Sequence, residues 1–107
     1  MAVYMTQFNY TSEAWSALAK NPTNRREIID KVFQAVGGRL IELYYCLGEY
    51  DGVLLVEAPD DSAVVSALVA VAGAGHARSI KTTKLLSAEE MVESLRKAGS
   101  ISFSGPR

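Results

Sequence analysis

The spacing of apolar residues along the chain predicts an alternation of strands and helices. Aromatic and branched side chains dominate Ala2 to Tyr10, which favours a strand. Ala14 to Lys20 then reads as a short helix, and Pro22 interrupts it because proline cannot donate to a helix interior. Apolar residues recur at helical spacing from there to Val36, before Gly37-Gly38 ends the second helix.

A hairpin is predicted next. Arg39 to Leu47 alternates as a strand does, the turn-forming residues 48–52 follow, and Val53 to Ala58 is a short apolar strand. Strict alternation places Ile41, Leu43, Tyr45 and Leu47 on one face, and Leu40, Glu42, Tyr44 and Cys46 on the other.

The remaining segments predict two more helices and one more strand. Ala63 to Ala72 is apolar nearly all round, so this helix is expected to be covered on two sides, by the core and a neighbouring helix or by a second subunit. His76 to Leu86 is expected to form a strand. Ser87-Ala88-Glu89-Glu90 matches a capping box that opens a last helix through Lys97.

The order of elements is therefore β-α-β-β-α-β followed by a helix. With right-handed crossovers, this order predicts an α+β fold, the ferredoxin-like plait, with a four-stranded antiparallel sheet and helices on one face. We expect one domain over residues 1–98 and a C-terminal tail over residues 99–107. The uncovered sheet face must then be wet, bind something, or pair with another subunit.

Composition narrows the possible functions. The 107 residues carry 11 basic and 12 acidic side chains, so no basic surface suggests nucleic acid as a partner. One cysteine excludes an internal disulfide, and one histidine without further thiols argues against a zinc site. No phosphate loop, dinucleotide fingerprint or metal-ligand spacing is present, so neither a cofactor nor a metal is predicted. No apolar run or leader suggests a membrane, and a cytoplasmic protein is expected.

Polar residues on one face of the predicted sheet are candidates for binding or chemistry. Glu42, Tyr44 and Glu57 share that face by alternation, and Arg78 is expected to join them. Two carboxylates, a tyrosine and an arginine could orient a polar small molecule or serve acid–base chemistry. The alternative is that they form ion pairs across a dimer interface, since buried charges must be paired in either case.

Other chemically distinctive residues have a structural and a functional interpretation. His76 is the one histidine and a candidate for proton transfer, although an exposed position at a loop end is the alternative. Tyr50 and Asp51 belong to a glycine-flanked turn that needs no ligand, yet they could lie at a pocket rim. Cys46 is expected to be a buried, inert thiol. Arg25 and Arg26 could contact an anion at a helix start, although a solvated helix face is the favoured interpretation.

Several separated motifs resemble the GYD domain family. They are Asn9-Tyr10-Thr11, Gly37-Gly38-Arg39-Leu40, Gly48-Glu49-Tyr50-Asp51, Val56-Glu57-Ala58-Pro59-Asp60-Asp61 and Ala77-Arg78-Ser79. The signature of that family, Gly-x-Tyr-Asp, corresponds to Gly48, Tyr50 and Asp51, and the resemblance runs from about Tyr4 to Glu90. It implies a dimeric α+β barrel, in which two sheets pack face to face and enclose a pocket in each half. It implies no particular reaction.

The expected function is small-molecule binding by a homo-oligomer, a dimer or larger, with a pocket at the sheet face. The ligand-binding candidates are Glu42, Tyr44, Glu57, Arg78, Tyr50 and Asp51. One alternative is a cofactor-free enzyme of the monooxygenase or isomerase kind, with His76, Tyr44 and Glu57 as catalytic candidates. Another alternative is a purely structural assembly module.

Overall fold

The computed structural model describes residues 1–106, which contain four strands and four helices. In chain order they are β1 (Ala2–Tyr10), α1 (Ser12–Lys20), α2 (Arg26–Gln34), β2 (Arg39–Tyr45), β3 (Gly52–Ala58), α3 (Asp61–Gly73), β4 (Ala77–Leu85) and α4 (Ala88–Gly99). The sheet order is β2-β3-β1-β4, and every pair of neighbours is antiparallel. The predicted α+β class and four-stranded antiparallel sheet are confirmed. Within the described residues, no helix has the length and apolar character needed to cross a bilayer.

The core lies between one face of the sheet and helices α2 and α3. Tyr4 and Phe8 of β1 and Val56 of β3 are buried beneath Phe33 of α2 and Val64 of α3. Phe33 and Val56 are fully covered. Because β1 and β3 are the two central strands, their alternate residues form the centre of this layer. We call this side of the sheet the helix face and the other side the open face.

A β-bulge in β2 corrects the predicted alternation. Leu40 pairs with Val56 and Leu43 pairs with Leu54, so Leu40 and Leu43 both lie on the helix face. The register shifts between Leu40 and Glu42, which adds one residue and reverses the parity after Leu40. Leu40 is therefore buried in the core, and not on the face with Glu42 as strict alternation predicts.

Two glycines permit close approaches that a side chain would prevent. A Cβ at Gly52 would overlap the ring of Phe8, and a Cβ at Gly38 would overlap the carbonyl oxygen of Glu57. In the described residues, positive φ occurs only at Gly37 and Gly75, which follow α2 and α3. Gly48 and Gly52, at the two ends of the hairpin turn, are thus not needed for a positive φ. Gly52 is needed because a side chain there would overlap the ring of Phe8.

Helix α4 and the segment after it are not covered by the rest of the chain. Every residue from Leu86 to Pro106 is exposed. The radius of gyration is 17.5 Å, whereas a compact domain of this length has a value of about 13 Å. The division into a domain over 1–98 and a tail over 99–107 stays a prediction, and Arg107 lies outside the described residues.

A hydrogen-bonded group joins β1, α3 and β4. The Tyr4 hydroxyl donates to Asp61 Oδ1 at 2.5 Å, and Lys84 Nζ donates to the same oxygen at 2.9 Å. The hydrogen bond from Tyr4, followed by the hydrogen bond and charge of Lys84, lowers the pKa of Asp61 below its usual value. The ionised carboxylate is therefore favoured in the folded state.

We expect the Tyr4 hydroxyl to stabilise the fold in a pH-dependent manner. With the folded-state pKa of Asp61 lowered, its contribution is full above the unfolded-state value of about 4 and is lost as pH falls through the folded value. Tyr4→Phe should be less stable than the wild type near neutral pH, and this deficit should shrink below pH about 4. Urea unfolding at a series of pH values measures it.

Tyr44→Phe is the matched control, because Tyr44 is exposed and its hydroxyl makes no side-chain hydrogen bond within residues 1–106. Its stability should follow that of the wild type at every pH. A Tyr4→Phe deficit that does not change with pH would contradict the role of the Asp61 carboxylate.

Candidate functional site

A cavity of about 210 Å³ lies between the helix face of the sheet and helices α2 and α3. Most of its lining is aliphatic or aromatic, and includes Phe8, Ile29, Val32, Leu54, Leu68 and Val71. A cavity of about 150 Å³ in a protein core accepts benzene. The space is therefore sufficient for a compact apolar molecule.

Four lining residues carry polar side-chain groups: Thr6, Tyr10, Arg25 and His76. Thr6 is buried and shares a hydrogen bond of 2.8 Å with the hydroxyl of Thr82, so it is already satisfied. Arg25 is half-buried and has no acidic partner within 4.0 Å among the residues that the structure describes. The polar lining thus includes a cation with unused donors.

Tyr10 links the cavity to a group of aromatic rings, Phe8, Tyr10, Trp15 and Tyr45, which we call the aromatic cluster. Their contacting rings have centroids 5.0 to 6.4 Å apart, mostly edge to face. The Tyr10 and Tyr45 hydroxyls lie 3.1 Å apart. Burial and the hydrogen bond with Tyr45 raise the pKa of Tyr10, while the charge of Arg25 acts in the opposite direction. Tyr10 is thus a neutral phenol beside Arg25.

Asp51, in the turn between β2 and β3, holds the aromatic cluster in place. Its Oδ2 accepts hydrogen bonds from the Tyr10 backbone N–H at 2.9 Å and from Trp15 Nε1 at 3.2 Å. Its own backbone N–H points to the Phe8 carbonyl oxygen at 2.9 Å and to Asn9 Oδ1 at 3.0 Å. The turn is therefore tied to the end of β1 and to α1, and these contacts support the structural interpretation of Asp51.

The structure places Glu42, Tyr44 and Glu57 together on the open face, away from the cavity. Glu42 is opposite Leu55 and Tyr44 is opposite Val53 in the register of β2 and β3. Both carboxylates already have cationic partners: Arg39 pairs with Glu57, and Arg26 pairs with Glu42. The Arg26 guanidinium also donates to the carbonyl oxygen of Ile41 at 3.0 Å. The carboxylates of Glu42 and Glu57 are thus paired with cations of their own chain, without a ligand.

Arg78 does not join that group. It belongs to β4, which is separated from β2 by β3 and β1, a distance of about 14 Å across three strand spacings. The expectation that alternate residues of β4 share a face with Glu42 and Tyr44 is also wrong, because Ile80 and Thr82 pair with Phe8 and Thr6 on the helix face. Arg78 itself lies at a register shift between Ser79 and Ala77, where simple alternation does not apply.

The catalytic candidates do not converge on one cavity. His76 precedes β4 and lines the cavity on the helix face, whereas Tyr44 and Glu57 lie on the open face. His76 is exposed, and its carbonyl oxygen accepts a hydrogen bond of 3.0 Å from the Thr11 backbone. Cys46 is exposed after the end of β2, so the expected burial of its thiol is wrong.

Of the residues singled out from the sequence, His76 and Arg25 line the cavity; the six ligand-binding candidates do not. Arg25 carried a sequence signal, a pair of arginines at a helix start. The apolar lining residues carried only the general signal of core positions, because α2, α3 and the sheet enclose the cavity by long-range packing.

The fold and the hairpin turn define a class: single-sheet α+β domains of ferredoxin-like topology with a Gly-x-Tyr-Asp turn. The family model described as GYD domain matches residues 4–95. The chain therefore belongs to the GYD domain family, and the resemblance seen in its motifs is confirmed.

The chain is also similar to known proteins in sequence or in fold. The chain is 32% identical over 85 residues to a Thermus thermophilus protein named "Glutamine synthetase and cystathionine beta-lyase binding protein", covering 79% of this chain and 86% of that protein. The crystal structure of TTHA0845, also from Thermus thermophilus, is similar with a TM-score of 0.55 and 15% identity, over 82% of this chain and 96% of the other. The crystal structure of MtbAldR has a TM-score of 0.57 and 19% identity over 80% of this chain. This chain spans only 52% of the MtbAldR chain. The similarity to these two crystal structures shows a shared fold.

We expect Asp51→Ala to destabilise the protein by about 1–3 kcal/mol, because the amide of Tyr10 and the indole of Trp15 both lose an acceptor. Urea unfolding measures the loss. Trp15 is the one tryptophan of the chain, so its fluorescence should also shift to longer wavelength as the indole becomes more mobile and wet.

Glu49→Ala provides the control, since Glu49 is exposed in the same turn; it should change stability by less than about 0.5 kcal/mol. Equal effects of the two substitutions would show that the Asp51 carboxylate does not hold the turn.

Proposed function

We propose that this protein binds a compact, mostly apolar small molecule in the cavity between the sheet and helices α2 and α3. The observation that carries the proposal is the open volume of about 210 Å³ with a lining dominated by carbon. Ligand sites typically combine such a lining with a few polar groups that orient the ligand. Arg25, Tyr10 and His76 supply those groups here.

The polar groups favour a ligand that carries a carboxylate or a similar acceptor. The Arg25 guanidinium is always charged, and among the described residues it has no carboxylate partner. Tyr10 is a neutral phenol whose hydroxyl lies near Arg25. An acid whose apolar body fills the cavity would give the guanidinium a charge-assisted hydrogen bond. Of the three catalytic candidates, His76 is the one that this proposal retains, as a ligand contact.

The open face of the sheet supports homo-oligomerisation. Val3 and Met5 of β1 and Val53 and Leu55 of β3 lie on this face without a helix over them. All four are only half-buried in the single chain. Pairing two such sheets face to face, as in a dimeric α+β barrel, would cover them. Glu42, Tyr44 and Glu57 would then border the space between the two sheets.

Binding of model acids tests the proposed ligand chemistry. Benzoate and hexanoate are the probes, with benzyl alcohol and hexanol as uncharged counterparts, and calorimetric titration and thermal shift are the measurements. At least one acid should bind more tightly than its alcohol. Arg25→Gln should weaken that acid roughly tenfold or more by removing a charged donor.

Two further variants separate the cavity from the surface. Lys31→Gln, on the exposed side of α2, should leave acid binding unchanged. Ala70→Leu, which adds bulk to the cavity wall, should weaken the acid and the alcohol alike. If neither acid binds at millimolar concentration, or if Arg25→Gln binds as the wild type does, the proposed ligand class is wrong.

Protein binding is a second candidate function, favoured by the 32% identical Thermus relative that is named for binding glutamine synthetase and cystathionine beta-lyase. Purified glutamine synthetase and purified cystathionine beta-lyase are each mixed with this protein, and at least one of them should form a complex with it on size exclusion with light scattering. The exposed apolar residues of α4 give it a surface, and Leu95→Gln should weaken such a complex. Co-elution of neither enzyme with the wild-type protein would remove this candidate.

A further inference from the structure

Helix α4 presents an apolar stripe that its own chain leaves uncovered. Met91, Val92 and Leu95 are 49%, 45% and 58% exposed. Together with Ala88, they lie on one side of the helix at spacings of three and four residues. The helix is well formed, since Ser87 and Glu90 make both hydrogen bonds of a capping box. A stable amphipathic helix with a fully exposed apolar stripe needs a partner surface.

The outer side of helix α3 provides a matching surface. Val65 and Val69 are 58% and 64% exposed, and with Ser62 and Ser66 they repeat the spacing of the α4 stripe. After Asp61, no charged residue occurs in α3. Small side chains on α3 face large ones on α4, a combination that allows two helices to pack closely.

The charges at the ends of the two helices favour antiparallel packing. Helix α4 begins with Glu89 and Glu90 and ends with Arg96 and Lys97. Helix α3 begins beside two carboxylates, Asp60 and Asp61, and its C-terminal end is followed by His76 and Arg78. Antiparallel packing places Glu89 and Glu90 toward Arg78, and Arg96 and Lys97 toward Asp60 and Asp61, where Lys84 already pairs with Asp61. Parallel packing brings the acidic ends of the two helices together.

The chain connection prevents α4 from packing this way on its own α3. The end of β4 lies beside the start of α3, because Lys84 hydrogen-bonds Asp61. Antiparallel packing needs the start of α4 at the other end of α3, about 18 Å away. Only Leu86 and Ser87 connect β4 to α4, and this connection reaches about 10 Å. The matching α3 must belong to another molecule.

We propose that helix α4 of one chain packs antiparallel on helix α3 of a second copy, with the second α4 packed in the same way in return. The inference rests on the proposed homo-oligomer and adds to it a contact between chains that does not involve the open face of the sheet. Two-fold symmetry makes the exchange reciprocal, so the α4–α3 contact occurs twice in the dimer. Antiparallel register places Val65 near Leu95, and Val69 near Met91, of the other chain.

Disulfide trapping between separate chains tests this register. In a Cys46→Ser background, chains carrying Val65→Cys are mixed with chains of different mass carrying Leu95→Cys. Mild oxidation should link the two kinds of chain, because the paired Cα atoms come within disulfide range. The control mixture, Val65→Cys with Met91→Cys, corresponds to parallel packing and should link at least tenfold less. Equal linking in both mixtures, or none in either, would overturn the proposed packing.

Light scattering on size exclusion provides the second readout. Leu95→Gln should weaken dimerisation about 100-fold, since the side chain is buried at two symmetric positions. Glu93→Gln, on the opposite side of α4, should leave it unchanged. The whole of α4 is exposed in the single chain. At protein concentrations where the chain is monomeric, both variants should therefore keep the wild-type fold and the wild-type unfolding midpoint.

Charge exchange tests the orientation. Arg78→Glu should weaken the dimer by roughly three- to tenfold, and combining it with Glu89→Arg should restore the dimer.

A monomeric wild type at micromolar concentration would overturn both the proposed oligomer and this inference. A wild-type dimer that Leu95→Gln does not affect would overturn this inference alone and assign the dimer to the open sheet face. If Leu95→Gln abolishes binding of glutamine synthetase or cystathionine beta-lyase but leaves the dimer intact, helix α4 binds another protein, and this inference is overturned.

Discussion

The arrangement around the cavity depends on one carboxylate, that of Asp51. It accepts hydrogen bonds from the backbone of β1 at Tyr10 and from the indole of Trp15 in α1, while its own backbone pairs with the end of β1. The β2–β3 turn, the central strand and the first helix therefore meet at a single residue. With the turn held there, Gly52 lies under the ring of Phe8, and Phe8 and Tyr10 of the aromatic cluster line the cavity.

A second constraint is the number of surfaces that four helices can cover. Helices α2 and α3 pack on one face of the sheet and leave the other face bare, and α4 extends away with all its residues exposed. Half-buried Val53 and Leu55 on the open face and exposed Leu95 on α4 are apolar surfaces that folding alone does not bury. The proposed association between copies would cover both surfaces.

Much of the fold was predictable because it depends on local pattern. Strand alternation, glycine stops and the Ser87 capping box lie within a few residues of one another, and they produce the observed order of elements. The errors occur where the pairing of strands decides the outcome. The bulge after Leu40 moved Leu40 into the core, and the strand order placed β3 and β1 between Arg78 and the residues Glu42 and Tyr44. A bulge leaves no mark in composition, since it depends on how two strands pair.

The sequence by itself determined the fold class, the family and the structural turn at Gly48, Tyr50 and Asp51, because these depend on periodicity and on short motifs. Only the tertiary structure decided where a ligand could bind. The cavity lies between Phe8, Ile29 and Leu68, residues from three elements far apart in the chain, and Arg25 becomes a site residue only once α2 packs on the sheet. A volume enclosed by long-range packing has no counterpart in local sequence. The sequence therefore favoured the polar residues Glu42, Tyr44 and Glu57 of the open face as ligand contacts, although the cavity lies on the helix face.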